Sequence, residues 1–253
     1  MIVYPNAKIN IGLNVVEKRD DGFHNIESIF YPVMDVFDVL EVVENDENQL
    51  AYTSSGISIP GDKDSNLCVK AFHLIRADYP IPFVKIHLQK KIPIGAGLGG
   101  GSSDASFMLK ALNELFELNL TLEQLVNYAK QLGSDCAFFI ENKPVYACGK
   151  GDEFENIELD LSAYTIKIEY PEIHIGTAEA YNGVTPSPSE LNLKELITTP
   201  ISDWTKSIKN DFEASVFPQY PEIEKIKQKI YTNGAVFASM TGSGSAVFGI
   251  FNK

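Results

Sequence analysis

The sequence predicts an α+β fold, and three observations carry that prediction. The alternating, β-branched stretch AKINIGLNVVEK at residues 7–18 is typical of a strand. The apolar stripe within SSDASFMLKALNELFELN, residues 102–119, indicates an amphipathic helix. Strand-like and helix-like segments then follow one another without regular alternation, which favours α+β over a parallel α/β sheet.

The first half of the chain opens with strands. After the strand at 7–18, DDGFHNIES at residues 20–28 predicts a turn, and IFYPVMDVFDVLEVVE at 29–44 predicts further strands. A loop follows around Pro60 and Gly61.

A helix and another strand come next. NLCVKAFHLIRADY at residues 66–79 has helical periodicity, and we expect Asp64 or Ser65 to cap it. PFVKIHLQKKIP at residues 82–93 predicts a strand that leads into a glycine-rich segment.

The second half is also mixed. Thr121 and Gln124 are spaced as a capping box at the start of the helix LEQLVNYAKQLG. AYTIKIEYP, at 163–171, starts a second strand-rich region, and the Pro-, Ser- and Thr-rich residues 185–200 predict a surface loop. A helix at 220–234 and strands flanking SMTGSGSAVFGIF complete the order. We place a domain boundary near residue 155, which divides the chain into domains 1–155 and 156–253.

Composition excludes several classes of protein. The chain has 253 residues, 44% hydrophobic and 22% charged, as expected of a globular protein with one large or two small domains. The formal net charge of −13 argues against nucleic-acid binding, which needs a basic surface. An anionic ligand must therefore be held by local donors, because the field of the whole chain opposes it.

Targeting signals and fixed metal sites are not predicted. MIVYPNAKIN lacks the basic and apolar regions of a signal peptide, and no apolar run is long enough for a membrane span. Cys68, Cys136 and Cys148 form no CxxC pair, which favours reduced thiols. We therefore expect a cytoplasmic protein with no nucleic-acid or membrane partner and no protein-held metal.

The segment KKIPIGAGLGGGSSDAS, residues 90–106, admits several interpretations. A glycine-rich hairpin without a ligand is one. A Walker A loop is excluded because no GK[ST] triplet occurs. Gly95, Gly97 and Gly100 match GxGxxG, but the acidic ribose binder of a Rossmann unit would fall in a region that predicts helix and a helix-connecting loop.

A phosphate cradle is the fourth interpretation. A strand leads into the glycines, and the loop opens a long helix at Ser102. Glycines allow close approach of the backbone, and the N–H groups and dipole of a helix N-terminus attract phosphate oxygens. Ser102 and Ser103 add hydroxyl donors, and Lys90 and Lys91 add local positive charge. We call residues 93–103 the phosphate loop.

Four motifs carry a family resemblance. PIGAGLGGGSSDAS resembles the second motif of the GHMP small-molecule kinases, in the form of the branch that phosphorylates 4-diphosphocytidyl-2-C-methyl-D-erythritol. YPNAKINIGLNVVEKRDDGFHNIES resembles the first motif of that branch, and LGSDCAFF resembles its G-[SA]-D-x-x-F segment. MTGSGSAVFGIF resembles the third motif of the family. The motifs occur in the family's order along nearly the whole chain.

The resemblance implies two α+β lobes with the active site in the cleft between them. It implies transfer of the γ-phosphoryl group of ATP, supplied with Mg²⁺, to the 2-hydroxyl of that cytidine diphosphate acceptor. Lys8 and Asp135 are implied as the catalytic pair, with Asp135 as general base. The implied ATP-binding residues are Lys90, Pro93, Gly95, Gly97, Leu98, Gly99, Gly100, Gly101, Ser102 and Ser103.

The resemblance also implies an acceptor site. His24 would read the edge of the cytosine, Phe23 and Tyr181 would present aromatic faces, and Asn10 and Thr177 would line the pocket. Gly242–Gly244 would form a turn that packs against the phosphate loop and helps to shape the acceptor site. Asp104 would either help to hold Mg²⁺ or stabilise the helix N-terminus by its charge. A family member acting on mevalonate, homoserine or a sugar, and a non-catalytic nucleotide-binding protein, remain the alternatives.

Overall fold

The strand predicted at residues 7–18 sets the frame of the fold. The computed structural model describes residues 1–189 and 191–253, and in it this strand runs over Asn6–Lys18. The strands are β1 (Ile2–Val3), β2 (Asn6–Lys18), β3 (His24–Phe37), β4 (Val39–Glu44), β5 (Ala51–Gly56), β6 (Val84–Lys90), β7 (Val145–Cys148), β8 (Glu153–Asn156), β9 (Tyr164–Glu169), β10 (Phe237–Met240) and β11 (Val247–Asn252). The helices are α1 (Leu67–Asp78), α2 (Gly100–Leu115), α3 (Leu122–Leu132), α4 (Phe138–Glu141), α5 (Thr177–Asn182), α6 (Leu193–Leu196), α7 (Ile201–Ser207), α8 (Glu213–Gln219) and α9 (Pro221–Thr232). This mixture confirms the α+β class.

The chain divides into two compact units, each assembled from separated segments. The first unit comprises Met1–Ala7, Val33–Ile94 and Gly99–Asn142, and the second comprises Lys8–Pro32, Gly95–Leu98 and Lys143–Lys253. The division of the chain into domains 1–155 and 156–253 stays a prediction.

In the first unit, a sheet in the order β1-β4-β6-β5 is backed by helices. Strand β6 alternates buried and more exposed positions, so that Val84, Ile86, Leu88 and Lys90 share its buried face. The helix α2 contributes buried apolar residues such as Leu109 to the same core. Lys90 is therefore a cation at a core position, which requires partners of opposite charge.

In the second unit, the antiparallel sheet β10-β11-β9 packs against α9. A second sheet has the order β2-β3-β7-β8. Buried apolar residues including Leu13, Val15, Phe212 and Val247 form a common core. The predicted strand pair around residues 239–251 is confirmed by β10 and β11, and the predicted helix at 220–234 by α9.

Several predicted boundaries are wrong by a few residues. The helix α1 is capped by Asn66, whose side chain accepts from the N–H of Cys68 at 2.9 Å, rather than by Asp64 or Ser65, which lie in a short 3₁₀ turn. The predicted turn at 20–28 is shorter, because β3 already begins at His24. The predicted loop at 185–200 contains α6, and its residue Glu190 lies outside the described residues.

The capping box before α3 is confirmed. The Thr121 hydroxyl accepts from the N–H of Gln124, and the Gln124 side chain accepts from the N–H of Thr121. Within residues 1–189 and 191–253, no helix is long and apolar enough to cross a membrane.

Candidate active site

A left-handed glycine within the phosphate loop starts the helix α2. Gly99 has φ of +69° and is the N-cap of α2, with no side-chain cap. The helix therefore begins at Gly100, two residues before the predicted start at Ser102, because Gly99 takes a conformation that residues with a side chain rarely adopt. A helix start leaves the first N–H groups without helical partners, which suits an anion.

The middle of the loop packs against the loop that follows β10. Gly97 has φ of +79°, and a Cβ at this position would overlap the carbonyl oxygen of Thr241. A Cβ at Gly242 would in turn lie 3.1 Å from the Cα of Gly97. The expectation that the third motif packs on the phosphate loop is thus confirmed, and the contact leaves no room for a side chain.

Lys8 is tied to the phosphate loop by its backbone. Its N–H donates to the carbonyl of Leu98 at 2.9 Å, and the residue is only 4% exposed. Its ammonium donates to Oδ1 of Asn10 at 2.6 Å and lies 4.7 Å from the centroid of the Phe30 ring. A polar and aromatic setting therefore orients the charge of Lys8.

Asn10 is the centre of a buried hydrogen-bond network. Its N–H donates to the Thr241 hydroxyl at 3.0 Å, and its Nδ2 donates to the Ser28 hydroxyl at 2.9 Å. The Thr241 hydroxyl lies 3.1 Å from the carbonyl of Gly97 and 3.2 Å from Oδ1 of Asn10. Asn10, predicted to line the acceptor site, thus also holds Lys8 and connects it with the phosphate loop.

Lys90 lies in a buried cluster of charges, and its role as local charge for phosphates stays a prediction. Its ammonium is buried and donates to Oδ2 of Asp38 and Oδ2 of Asp104, each at 2.6 Å. Burial alone would lower the pKa of Lys90, but the two carboxylates outweigh it and raise the pKa. A Cβ at Gly100 would lie 2.9 Å from this ammonium. The ammonium of Lys90 therefore packs against the first turn of α2 and stabilises it through Asp104.

Asp104 and Ser103 carry buried polar atoms that the rest of the described chain does not satisfy. Oδ1 of Asp104 and Oγ of Ser103 have no hydrogen-bond partner among the described residues. Burial raises the pKa of Asp104 to about 7, although the charge of Lys90 opposes the shift. Oδ2 of Asp104 thus pairs with Lys90 at the start of α2, and the two roles considered for Asp104, holding Mg²⁺ or stabilising the helix start, stay predictions.

The remaining phosphate-loop residues differ in exposure. Gly95 and Gly101 are exposed, whereas Pro93 and Ser102 are half-buried. A Cβ at Gly95 would lie 2.8 Å from the ring of His174, so this ring covers the start of the loop.

Asp135 lies on the turn between α3 and α4 and is half-buried. The N–H of Cys136 donates to the carbonyl of Gly133 at 3.2 Å, which closes the turn, and the Ser134 hydroxyl lies 3.5 Å from Oδ1 of Asp135. Asp135 belongs to the first unit and Lys8 to the second. The catalytic roles of both stay predictions.

The structure brings two of the predicted acceptor-binding residues together. The rings of His24 and Tyr181 are stacked, and Tyr181 also meets the ring of Phe212 edge-on at 4.9 Å between centroids. Burial lowers the pKa of His24, and the charge of Lys18 adds to this shift, so the imidazole is neutral near pH 7. A neutral imidazole has one donor and one acceptor, as reading a base edge requires.

Phe23 and Thr177 complete the predicted acceptor set. Phe23 is 58% exposed, and the ammonium of Lys150 lies 5.0 Å from its ring centroid. Thr177 is exposed at the start of α5, the helix that carries Tyr181.

Sequence reasoning missed four residues of this region. Thr241, Ser28 and Asn210 hold the backbone around the predicted site, and Lys150 lies over Phe23. Lys150 had a local signal, because it stands between two glycines, and Thr241 and Ser28 stand inside quoted motifs, whereas Asn210 had neither signal. In the part of the chain that the structure describes, His, Cys, Asp and Glu side chains form no group of three able to hold a metal ion.

Comparison with known proteins identifies the class. Residues 66–143 match the family described as the GHMP kinases N terminal domain, and residues 193–253 match the GHMP kinases C terminal domain. The chain belongs to the GHMP kinase family, whose members use ATP.

Two relatives that align along the whole chain carry the same name. The chain is 50% identical to the 4-diphosphocytidyl-2-C-methyl-D-erythritol kinase of Bacteroides fragilis, with 100% of this chain and 92% of the relative covered. It is 49% identical to the kinase of the same name from Cytophaga hutchinsonii, with 100% and 93% covered.

Solved structures of kinases share the fold of this chain. A crystal structure of 4-(cytidine 5'-diphospho)-2C-methyl-D-erythritol kinase has a TM-score of 0.83 and 29% identity, over 99% of this chain and 90% of that one. The mevalonate kinase of Methanococcus jannaschii shares the fold, with a TM-score of 0.72 at 16% identity over 100% of this chain and 90% of that one.

Proposed function

We propose that this chain transfers the γ-phosphoryl group of ATP to the 2-hydroxyl of 4-diphosphocytidyl-2-C-methyl-D-erythritol. The products are the 2-phosphate and ADP, and the reaction belongs to the methylerythritol phosphate route to isoprenoid precursors. The observation that carries the proposal is 50% identity along the whole chain to a kinase of that name.

ATP binds through its phosphates at the phosphate loop. The glycines allow the backbone to approach the phosphates, and the N–H groups of the first turn of α2, which have no acceptor within the helix, donate to the phosphate oxygens. The buried Ser103 hydroxyl, which has no partner among the described residues, suits a phosphate oxygen as acceptor. These donors are local, as an acidic chain with a net charge of −13 requires.

Lys8 and Asp135 act at the reacting hydroxyl. Asp135 accepts the hydroxyl proton, and the ammonium of Lys8 stabilises negative charge on the transferring group. The fixed orientation of Lys8 supports this role. Its ammonium donates to Oδ1 of Asn10 at 2.6 Å, and its backbone N–H donates to the carbonyl of Leu98. A fixed ammonium needs little rearrangement as the reaction proceeds, which is the basis of electrostatic preorganisation.

The acceptor base binds at the aromatic residues of the second unit. Tyr181 and Phe23 stack on the cytosine, and the neutral imidazole of His24 forms hydrogen bonds with its edge. Thr177 and Asn10 contact the rest of the acceptor.

Mg²⁺ arrives as part of the Mg–ATP substrate. It is held mainly by phosphate oxygens, as Mg²⁺ commonly is in phosphoryl-transfer enzymes. Oδ1 of Asp104 has no hydrogen-bond partner among the described residues and is the oxygen of this side chain that could contact Mg²⁺. Its other oxygen, Oδ2, pairs with the ammonium of Lys90.

Phosphorus NMR tests the reaction and its acceptor together. The purified chain is incubated with Mg–ATP and, in separate samples, with the cytidine diphosphate acceptor, mevalonate or homoserine. A new phosphomonoester signal with stoichiometric ADP is expected only with the cytidine diphosphate acceptor. A signal with another acceptor would keep the kinase and refute the cytidine site, whereas no signal in any sample would refute the proposal.

Two variants test the catalytic pair. Lys8→Ala and Asp135→Asn should each lower kcat by about 10²–10⁴-fold, because the removed group acts on the reacting atoms. ATP binding, measured by calorimetry, should persist. Asp78→Asn is the matched control, since Asp78 bonds the Tyr128 hydroxyl on the surface. Near-normal kcat in either active-site variant would end that assignment.

A further inference from the structure

A buried asparagine outside the four recognised motifs holds the loop that supports the phosphate loop. Asn210 is 2% exposed and lies in the segment between α7 and α8. Its Nδ2 donates to the carbonyls of Met240 and Gly242, at 2.9 and 2.8 Å. Both hydrogens of the amide are therefore used on either side of Thr241.

Asn210 is itself held in place by a neighbouring strand. The segment around it pairs with β2, because the N–H of Leu13 donates to the carbonyl of Lys209 and the N–H of Asp211 donates to the carbonyl of Leu13. Its Oδ1 accepts from the N–H of Phe212 at 3.0 Å. The side chain amide thus has a fixed direction.

The loop that Asn210 holds reaches two parts of the proposed ATP site. Thr241 bonds the carbonyl of Gly97 in the phosphate loop and bonds Asn10, which in turn accepts from the ammonium of Lys8. A chain of contacts therefore runs from Asn210 through Thr241 to the phosphate loop and to Lys8.

We propose that Asn210 is a positioning residue, which fixes the loop at 240–242 and thereby sets the shape of the phosphate loop at Gly97 and Leu98. This inference rests on the proposed kinase function, because it assigns the phosphate loop to ATP. Asn210 touches no reacting atom and acts through Thr241 and Gly242.

The test replaces the side-chain amide of Asn210, which donates two hydrogen bonds, with a carboxylate of the same shape, which can only accept them. Asn210→Asp puts a carboxylate opposite two carbonyl oxygens, so the loop must move. We expect kcat/KM for ATP to fall at least about tenfold and the Kd of ATP to rise, in a protein that remains folded at the assay temperature. If this variant does not fold, Asn210→Ser is measured in the same way against the same threshold.

A matched control separates positioning from general damage to the fold. Asn14 is also buried in the second unit, and its Nδ2 donates to the Ser189 hydroxyl at 3.2 Å. Asn14→Asp should leave kcat/KM for ATP within about twofold of wild type.

A double-mutant comparison tests the route. Thr241→Val removes the hydroxyl that bonds Gly97, and Thr241→Ser keeps it. If Asn210 acts through Thr241, the loss of ATP affinity in the double variant is smaller than the sum of the losses from Asn210→Asp and Thr241→Val. Thr241→Ser alone should then keep most of the wild-type affinity, because it keeps the hydroxyl. Additive losses, or an effect of Asn210→Asp no larger than that of Asn14→Asp, would overturn the proposal.

ATP affinity also separates this inference from the proposed function. If the wild type binds ATP but phosphorylates none of the acceptors, the proposed function fails. A weaker Kd for ATP in Asn210→Asp would still support the positioning role in that case.

Discussion

The imidazole of His24 stacks on the phenol ring of Tyr181, with 4.6 Å between the ring centroids and 16° between the ring planes. A flat heterocycle thus already lies against the face of Tyr181, which is the contact proposed for the cytosine. The edge-on contact with Phe212 fixes the orientation of the Tyr181 ring.

Removal of the Tyr181 ring should weaken acceptor binding. Tyr181→Ala loses a stacking contact of about 1–3 kcal/mol, which corresponds to a rise of about 5- to 150-fold in the acceptor KM. Tyr181→Phe keeps the ring and should change the KM little. Steady-state kinetics at saturating ATP measure both variants, and an unchanged acceptor KM in Tyr181→Ala would refute stacking.

A methyl group at Gly97 should damage the ATP site. The Cβ of Gly97→Ala would overlap the carbonyl of Thr241, so the two loops must separate and ATP affinity should fall at least about tenfold. Gly234→Ala is the matched control, because Gly234 also has positive φ, +94°, but no atom of the described residues within 4 Å of an added Cβ. Calorimetric titration with ATP compares the two. Equal ATP affinities in the two variants would contradict the prediction, because the contact between Gly97 and Thr241 would then have no effect on ATP binding.

Loss of the Lys90 ammonium should cost stability. Lys90→Met leaves the Asp38 and Asp104 carboxylates buried without their cation, which costs about 3–5 kcal/mol in the free energy of unfolding. Lys85→Met, on the same strand, removes a side chain that is 53% exposed and 3.8 Å from Glu47, so it should cost at most about 1 kcal/mol. Urea unfolding measures both. If Lys90→Met keeps full stability and loses ATP affinity, Lys90 is a phosphate ligand after all.

The charge of Asp104 should make stability depend on pH. Burial raises its folded pKa to about 7 from the usual 3.8, so the folded state retains a proton that the unfolded state has lost. This contribution to stability is complete below the unfolded pKa and is lost as the pH rises through about 7. Asp104→Asn keeps an oxygen for Lys90 without the second negative charge, and it should therefore stabilise the protein more at pH 8 than at pH 5.

Urea unfolding at the two pH values checks this prediction. The control is Asp203→Asn, whose side chain is 50% exposed and pairs with Lys206 on the surface. An identical change in stability between pH 5 and pH 8 for wild type and Asp104→Asn would contradict the assignment.

Local patterns predicted the elements well. The alternation at 7–18 predicted β2, and the spacing of Thr121 and Gln124 predicted the start of α3, because both depend on near neighbours in the chain. The burial of Lys90 also had a local signal, since Lys90 continues the alternation of Val84, Ile86 and Leu88. The glycine-rich segment that follows it indicated phosphate binding instead.

Long-range contacts could not be predicted from local patterns. The stacking of His24 on Tyr181 and the packing of Gly97 on Thr241 join residues far apart in sequence. No periodicity or turn signal encodes such pairs, because they depend on the complete arrangement of the sheets. Asn210 is a further case, since an isolated asparagine between helices resembles an ordinary surface residue.

The bond between Thr241 and Gly97 spans 144 positions in the chain. During synthesis the glycines therefore leave the ribosome long before the residue that shapes them, and such a contact closes late because its loop is long. A nascent chain would gain affinity for nucleotide only after the strands β10 and β11 have paired. Nucleotide binding would then report completion of the fold of the second unit rather than its beginning.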